Sequence, residues 1–173
     1  LLLGTTSVQP VPLFRRFGNL WENFSASRGV TGYTSQLLAD GNDVIILGNL
    51  RFPSFDSTDG VIHSSITRFG YSDGWSALGR VSGYVECGVI TPAGLVVGGD
   101  FVSIDGVPAR GLAILTPDGW REHAGGVPND TPDAMVYHRG ILHVAASGGV
   151  YSWNGHAWTI RRASVSHGRS RAS

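Results

Sequence analysis

Nucleophiles, titratable side chains and metal ligands are all present in this sequence, but no motif gathers them. The six histidines, His63, His123, His138, His143, His156 and His167, are scattered along the chain. His138 and His143 are separated by a turn, where side chains are expected to diverge, so both read as solvated or packed imidazoles. The single Cys87 sits in the apolar stretch Val85-Glu86-Cys87-Gly88-Val89-Ile90 and reads as a buried structural thiol, because free cysteine is among the most buried residue types. No Cys-x-x-Cys pair, nucleophile elbow, Walker loop or dinucleotide fingerprint occurs. Gly98-Gly99 ends an apolar run, and no helix follows to complete a phosphate cradle. The acidic loops Asp56-Ser57-Thr58-Asp59-Gly60 and Ile104-Asp105-Gly106 lack the later carboxylate of an EF-hand. Their aspartates read as turn formers, and no catalytic residue, cofactor or metal site is expected.

What remains is a set suited to recognition, and its members lie far apart in the chain: Arg28, Tyr33, Phe52, Phe55, Asp56, Arg80, Tyr84 and Asp105. Only a repeated architecture would bring them together. Glycine makes up 25 of 173 residues, roughly double the usual share, and points to many tight turns. Trp21, Trp75, Trp120 and Trp158 recur at spacings of 54, 45 and 38 residues, which bracket the repeat lengths of propeller blades. Asp73-Gly74, Asp118-Gly119 and Asn154-Gly155 precede three of them, and such pairs are strong hairpin signals because both central positions of a type I′ turn need φ > 0. Trp153 falls outside the series and is expected to be partly exposed.

Apolar runs ending in small residues, at 1–4, 44–48, 95–99 and 141–146, read as buried strands. Strands at 34–39, 85–91 and 133–137 precede the last three runs. Strands at 12–17, 61–69, 112–116 and 149–153 follow the four runs and lead to the Trp hairpins. The unit is therefore strand, turn, Gly-ended strand, loop, strand, Gly turn, Trp strand. Three units are complete, at about 34–78, 85–123 and 133–161, and residues 1–24 hold the last three strands of a fourth. The fold class expected is all-β, with one domain over residues 1–162 and a polar Ser/Arg-rich tail at 163–173. That tail either supplies the missing strand and closes a four-bladed ring, or leaves closure to further blades. The chain begins without Met, inside a strand, and is expected to be part of a longer polypeptide.

Successive antiparallel strands reverse direction, so the loop between strands two and three shares an end of the sheet with the link between units. The eight recognition residues fall at that end, with Phe101 to Asp105 and Asp130. Val30-Thr31-Gly32-Tyr33 and Val81-Ser82-Gly83-Tyr84 repeat each other and place two tyrosines there, where they either contact a partner or cap the core. The 13 cationic residues, all Arg, balance 13 acidic ones, so no overall field draws the chain to nucleic acid. No apolar run approaches the ~20 residues of a membrane span, and a soluble chain is expected.

These motifs resemble kelch and galactose-oxidase-type repeats, and more closely those of fungal cortical polarity markers, which pair a Gly-Gly-x-Phe step with a Trp turn. Leu95-Val96-Val97-Gly98-Gly99-Asp100-Phe101, Gly111-Leu112-Ala113-Ile114 and Asp118-Gly119-Trp120 follow that pattern. Gly48-Asn49-Leu50 and Ala145-Ala146 replace the glycine pair in the other units. The resemblance implies a β-propeller of four-stranded antiparallel blades. Galactose-oxidase chemistry would need copper held by His and Tyr beside a Cys-modified Tyr, and the lone Cys87 and scattered histidines form no such set. A non-catalytic binding or scaffold module is expected, recognising a protein partner, with an extracellular or virion assembly as its setting. A carbohydrate-binding propeller is the alternative, and an oxidase-type enzyme the last choice.

Overall fold

The computed structural model describes residues 2–3, 14–17, 19–23, 30–53, 61–70 and 72–161. Every regular element in them is a strand, and no helix occurs among the described residues. A three-stranded sheet comes first, from β1 (Leu2–Leu3), β2 (Phe14–Phe17) and β3 (Leu20–Asn23). The first full sheet contains β4 (Thr31–Asp40), β5 (Asp43–Pro53), β6 (Val61–Gly70) and β7 (Gly74–Gly79) in chain order. The second contains β8 (Tyr84–Thr91), β9 (Gly94–Asp100), β12 (Leu112–Thr116) and β13 (Gly119–Glu122). A small hairpin, β10 (Ser103–Ile104) with β11 (Val107–Pro108), is inserted between β9 and β12. The third contains β14 (Pro132–His138), β15 (Ile141–Ala146), β16 (Gly149–Trp153) and β17 (Trp158–Arg161). All pairings are antiparallel.

The repeat expected from the sequence is therefore present as three four-stranded antiparallel sheets and one of three strands. The inserted hairpin was not anticipated, although Asp105-Gly106 carries its signal: Asp105 has φ 46° and Gly106 φ 79°, the left-handed pair that a two-residue hairpin turn requires.

One irregularity recurs in all three full sheets. The register of the first strand slips between Thr34 and Gln36, between Val85 and Cys87, and between Pro132 and Ala134. In each case one residue is extra, opposite Leu47 and Gly48, Gly98 and Gly99, or Ala145 and Ala146 of the second strand. A bulge of this kind bends the strand and sharpens its twist.

The sheets stack face to face. β8 touches β4 and β5 on one side and β14 on the other. A core of Ile45, Leu47, Ile66, Val85, Val97 and Ala113 fills the space between the first and second sheets. Val96, Leu112, Ile114, Leu142, Val144 and Tyr151 fill that between the second and third. Ile46, Leu50 and Phe69 lie on the far face of the first sheet, with Trp75 packed against them. Ile46, Leu47, Ile66, Val97 and Val144 have no exposed surface, and burying such a side chain stabilises by about 1.5–3 kcal/mol. Glycine allows the close approach. A Cβ on Gly88 would lie 2.6 Å from Leu47 Cδ1, and one on Gly98 2.6 Å from Met135 Cε.

The tryptophans join consecutive sheets. Trp120 Nε1 donates to the Leu78 carbonyl of the preceding sheet at 2.6 Å, and Trp158 Nε1 donates to the Ala124 carbonyl at 3.1 Å. Trp75 packs on Phe69 with ring centroids 5.0 Å apart. One expectation changes here and one stands. Trp21 is 47% exposed, so it fills no gap between sheets. Trp153 is only partly buried but packs into the core on Trp158, centroids 5.4 Å apart.

Candidate recognition cleft

The strand-reversal argument holds for both junctions between full sheets. A cleft of about 340 Å³ is lined by Asn49 and Arg51 from the end of β5, Ser64 and Ser65 from the start of β6, and the link 80–84. A second cleft, of about 400 Å³, is lined by Asp100 and Val102, by Arg110 and Gly111, and by the next link at 125–131. The two are the same feature one repeat apart.

Backbone and hydroxyl contacts hold the first link in place. Val81 is buried, and its amide donates to Ser65 Oγ at 3.2 Å. Ser64 Oγ donates to the Ile66 carbonyl at 2.6 Å and lies 3.2 Å from the Gly79 carbonyl. Ser82 Oγ accepts from the amides of Val102 and Ser103 at 3.1 and 3.2 Å. Asp105 Oδ1 accepts from the Arg80 amide at 2.9 Å. The wall is therefore fixed before any ligand arrives, which lowers the ordering cost of binding.

Arg51, Arg80 and Tyr84 project from this fixed wall. Tyr84 is 56% exposed. Neither guanidinium has an ion-pair partner among the described residues. Tyr33 is half-buried nearby, and its phenol is pushed above its usual range by burial first, then by the charges of Glu86 and Tyr84. The structure therefore brings Tyr33, Arg80, Tyr84 and Asp105 into one region, with Arg51 of β5. Phe52 stands in β5 opposite Ile62. Arg28, Phe55 and Asp56 lie outside the described residues. Phe101 is 4% exposed in the core and lines the second cleft.

In the second cleft the acidic position is Asp130. Its Oδ1 accepts from Ser147 Oγ at 2.8 Å and the Thr131 amide at 3.0 Å. Its Oδ2 accepts from the Gly148 amide at 2.6 Å and the Tyr151 hydroxyl at 3.2 Å. These bonds, the Ser147 bond foremost and the Gly148 amide next, favour the carboxylate and hold its pKa below the ordinary value. The carboxylate ties the link to the β15–β16 turn.

Elsewhere, burial foremost, followed by the charges of Asp133 and Glu86, pushes the Cys87 thiol up to about 12. His138 and His143 do not diverge: through the pairs His138↔Ile141 and Val136↔His143 they share one face of the hairpin. His143 Nδ1 lies 2.8 Å from Ser152 Oγ, yet no carboxylate orients this imidazole among the described residues, as an activated serine would need. The cleft can stack, donate from two guanidiniums and exchange hydrogen bonds with a phenol. A scan against family models finds no match, and a search of curated proteins finds no similar sequence.

Proposed function

We propose that the chain is a non-catalytic binding or scaffold module, with its sheets arranged as kelch-like propeller blades, that recognises a protein partner through the end of the sheets bearing Arg51, Arg80 and Tyr84. The observation that carries this reading is the cleft between the first and second sheets. It is a fixed wall with one exposed aromatic and two guanidiniums that have no ion-pair partner among the described residues, and Tyr and Arg are the residue types enriched at binding hot spots. The blade reading is supported by the contacts of β4 and β14, both first strands, with β8, the first strand of the sheet between them. A glycan is the second reading, supported by the hydroxyl, guanidinium and phenol groups of the wall.

Probing the folded chain with a peptide display library and with a glycan array tests both. The expected outcome is a peptide ligand whose binding drops at least tenfold in Tyr84→Ala and Arg80→Ala and is unchanged in Ala93→Ser, at the opposite end of the sheets. Saccharide binding with the same mutational pattern would favour the glycan reading. Ligands of either kind whose binding ignores Tyr84 and Arg80 would place recognition elsewhere.

A further inference from the structure

The fold repeats the two clefts, but their charges differ. Asn49 pairs with Tyr33 and Asp100 with Tyr84, so the first cleft carries a neutral amide where the second carries a carboxylate. The exposed guanidiniums of Arg51 and Arg80 make the first cleft basic. Asp105 accepts from the Arg80 amide at 2.9 Å and ion-pairs with neither of them. The second cleft sets two carboxylates, Asp100 and Asp130, against one guanidinium, Arg110. Asp130 is occupied by its four hydrogen bonds, whereas Asp100 is exposed and has no ion-pair partner among the described residues. The clefts also adjoin. Tyr84, in the wall of the first, stands directly across the β8–β9 ladder from Asp100, in the wall of the second. Ser82 of the first link holds the amide of Val102 at 3.1 Å, so the two walls make one fixed surface. Both clefts lie at junctions inside the chain, between sheets that follow one another in sequence.

We propose, resting on the protein-partner reading above, that the ligand is an extended polypeptide segment in the polyproline II conformation that crosses both clefts. One acidic side chain meets Arg51 and Arg80, and a basic side chain three residues away meets Asp100. The spacing carries the conformation. Stacked sheets lie roughly 10 Å apart, and three residues of polyproline II advance about 9.3 Å while bringing the side chain back to the same side. A β-strand covers a similar length, but places residues three apart on opposite faces. Polyproline II has no internal hydrogen bonds, so its carbonyls are free to accept from Arg110. Its ridges pack on exposed aromatics, and Tyr84, 56% exposed, stands where the clefts meet. Charge sets the order of the side chains: a second acidic group would face Asp100 and Asp130, and a basic one at the first cleft would face two guanidiniums.

Fluorescence anisotropy of the full chain with labelled, terminally blocked proline peptides carrying one glutamate and one lysine tests it. The peptide with the two charges three residues apart is expected to bind about three- to fivefold more tightly than the same peptide with alanine for lysine, the scale of a partly exposed ion pair. Moving the lysine by one residue should cost as much as removing it, because the side chain then leaves the shared side. Asp100→Asn should abolish the preference for lysine and leave the alanine peptide unaffected. Asp100→Lys should reverse it, in favour of a peptide with glutamate at both positions. Asp100 is exposed, so both variants should keep the circular dichroism of the native chain. A wild-type chain that binds none of these peptides, or shows no preference for lysine, would overturn the proposal. So would a preference that survives Asp100→Asn or is equal at both spacings. In those last cases the protein-partner reading stands if binding still falls in Arg80→Ala and Tyr84→Ala; peptide binding that ignores these two substitutions would overturn both.

Discussion

Cys87 is 3% exposed and its thiol is pushed up to about 12, so the thiolate that reacts with alkylating and disulfide reagents is scarce at neutral pH. In the native protein Cys87 is therefore expected to resist iodoacetamide and to be modified only after denaturant is added; native labelling at the rate of a free thiol would contradict its packing. Two further residues make stability depend on pH in separate windows. The His123 pKa is lowered, chiefly by burial and then by Arg121. The unfolded state therefore takes up a proton more readily than the native one, and its contribution, complete above about 6.5, declines as pH falls below that value. Asp130, with its lowered pKa, contributes above its ordinary value near 3.8 and loses that contribution in stronger acid. Urea titrations from pH 7 to pH 3 should show His123→Gln flattening the higher step only and Asp130→Asn the lower only.

At the level of elements, the joint between sheets depends on a large ring on one side and absent side chains on the other. Trp120→Ala removes a half-buried indole and its hydrogen bond to Leu78, and should destabilise by about 3 kcal/mol, the low end for truncating such a ring. Trp21→Ala, at the equivalent but exposed position, should cost under about 1 kcal/mol. Equal losses in denaturant melts would mean the two rings are equally packed. Gly88 is the converse case: its backbone tolerates a side chain, but Leu47 and Leu38 occupy the space a Cβ would take. Gly88→Val should therefore destabilise by about 1–3 kcal/mol through overpacking, and Leu47→Ala in the same chain should recover part of that loss.

Across the whole molecule, protection should follow how many faces of a sheet are covered. The second sheet is packed on both faces, whereas the third leaves Val136 and Val150 open. Local opening costs least where few apolar contacts must be broken. Amide hydrogen exchange is thus expected to be slowest in β9 and β12 and fastest in β17. Uniform protection across the three sheets would point to a single cooperative unit instead.

The sequence by itself determined the elements. Turns fall at Asp73-Gly74, Asp118-Gly119 and Asn154-Gly155, although only the glycine of each pair has φ > 0, so the type I′ geometry expected there is not adopted; apolar runs of strand length lie between the turns, and the 15-residue span 141–155 shows the agreement best, with β15 and β16 bounded as the sequence indicates. Strand parity, a consequence of antiparallel reversal alone, also put Arg80, Tyr84 and Asp105 at one end. What the sequence left open depended on distances between elements. Trp21 and Trp120 hold the same place in their hairpins, yet one is exposed and the other packed, because burial is set by whether a neighbouring sheet covers the ring. The repeated bulge, the tether from Asp105 to the Arg80 amide, and the four hydrogen bonds of Asp130 carry no local signature. They depend on how the paired strands and the links beside them settle against one another, and tertiary structure alone decides that.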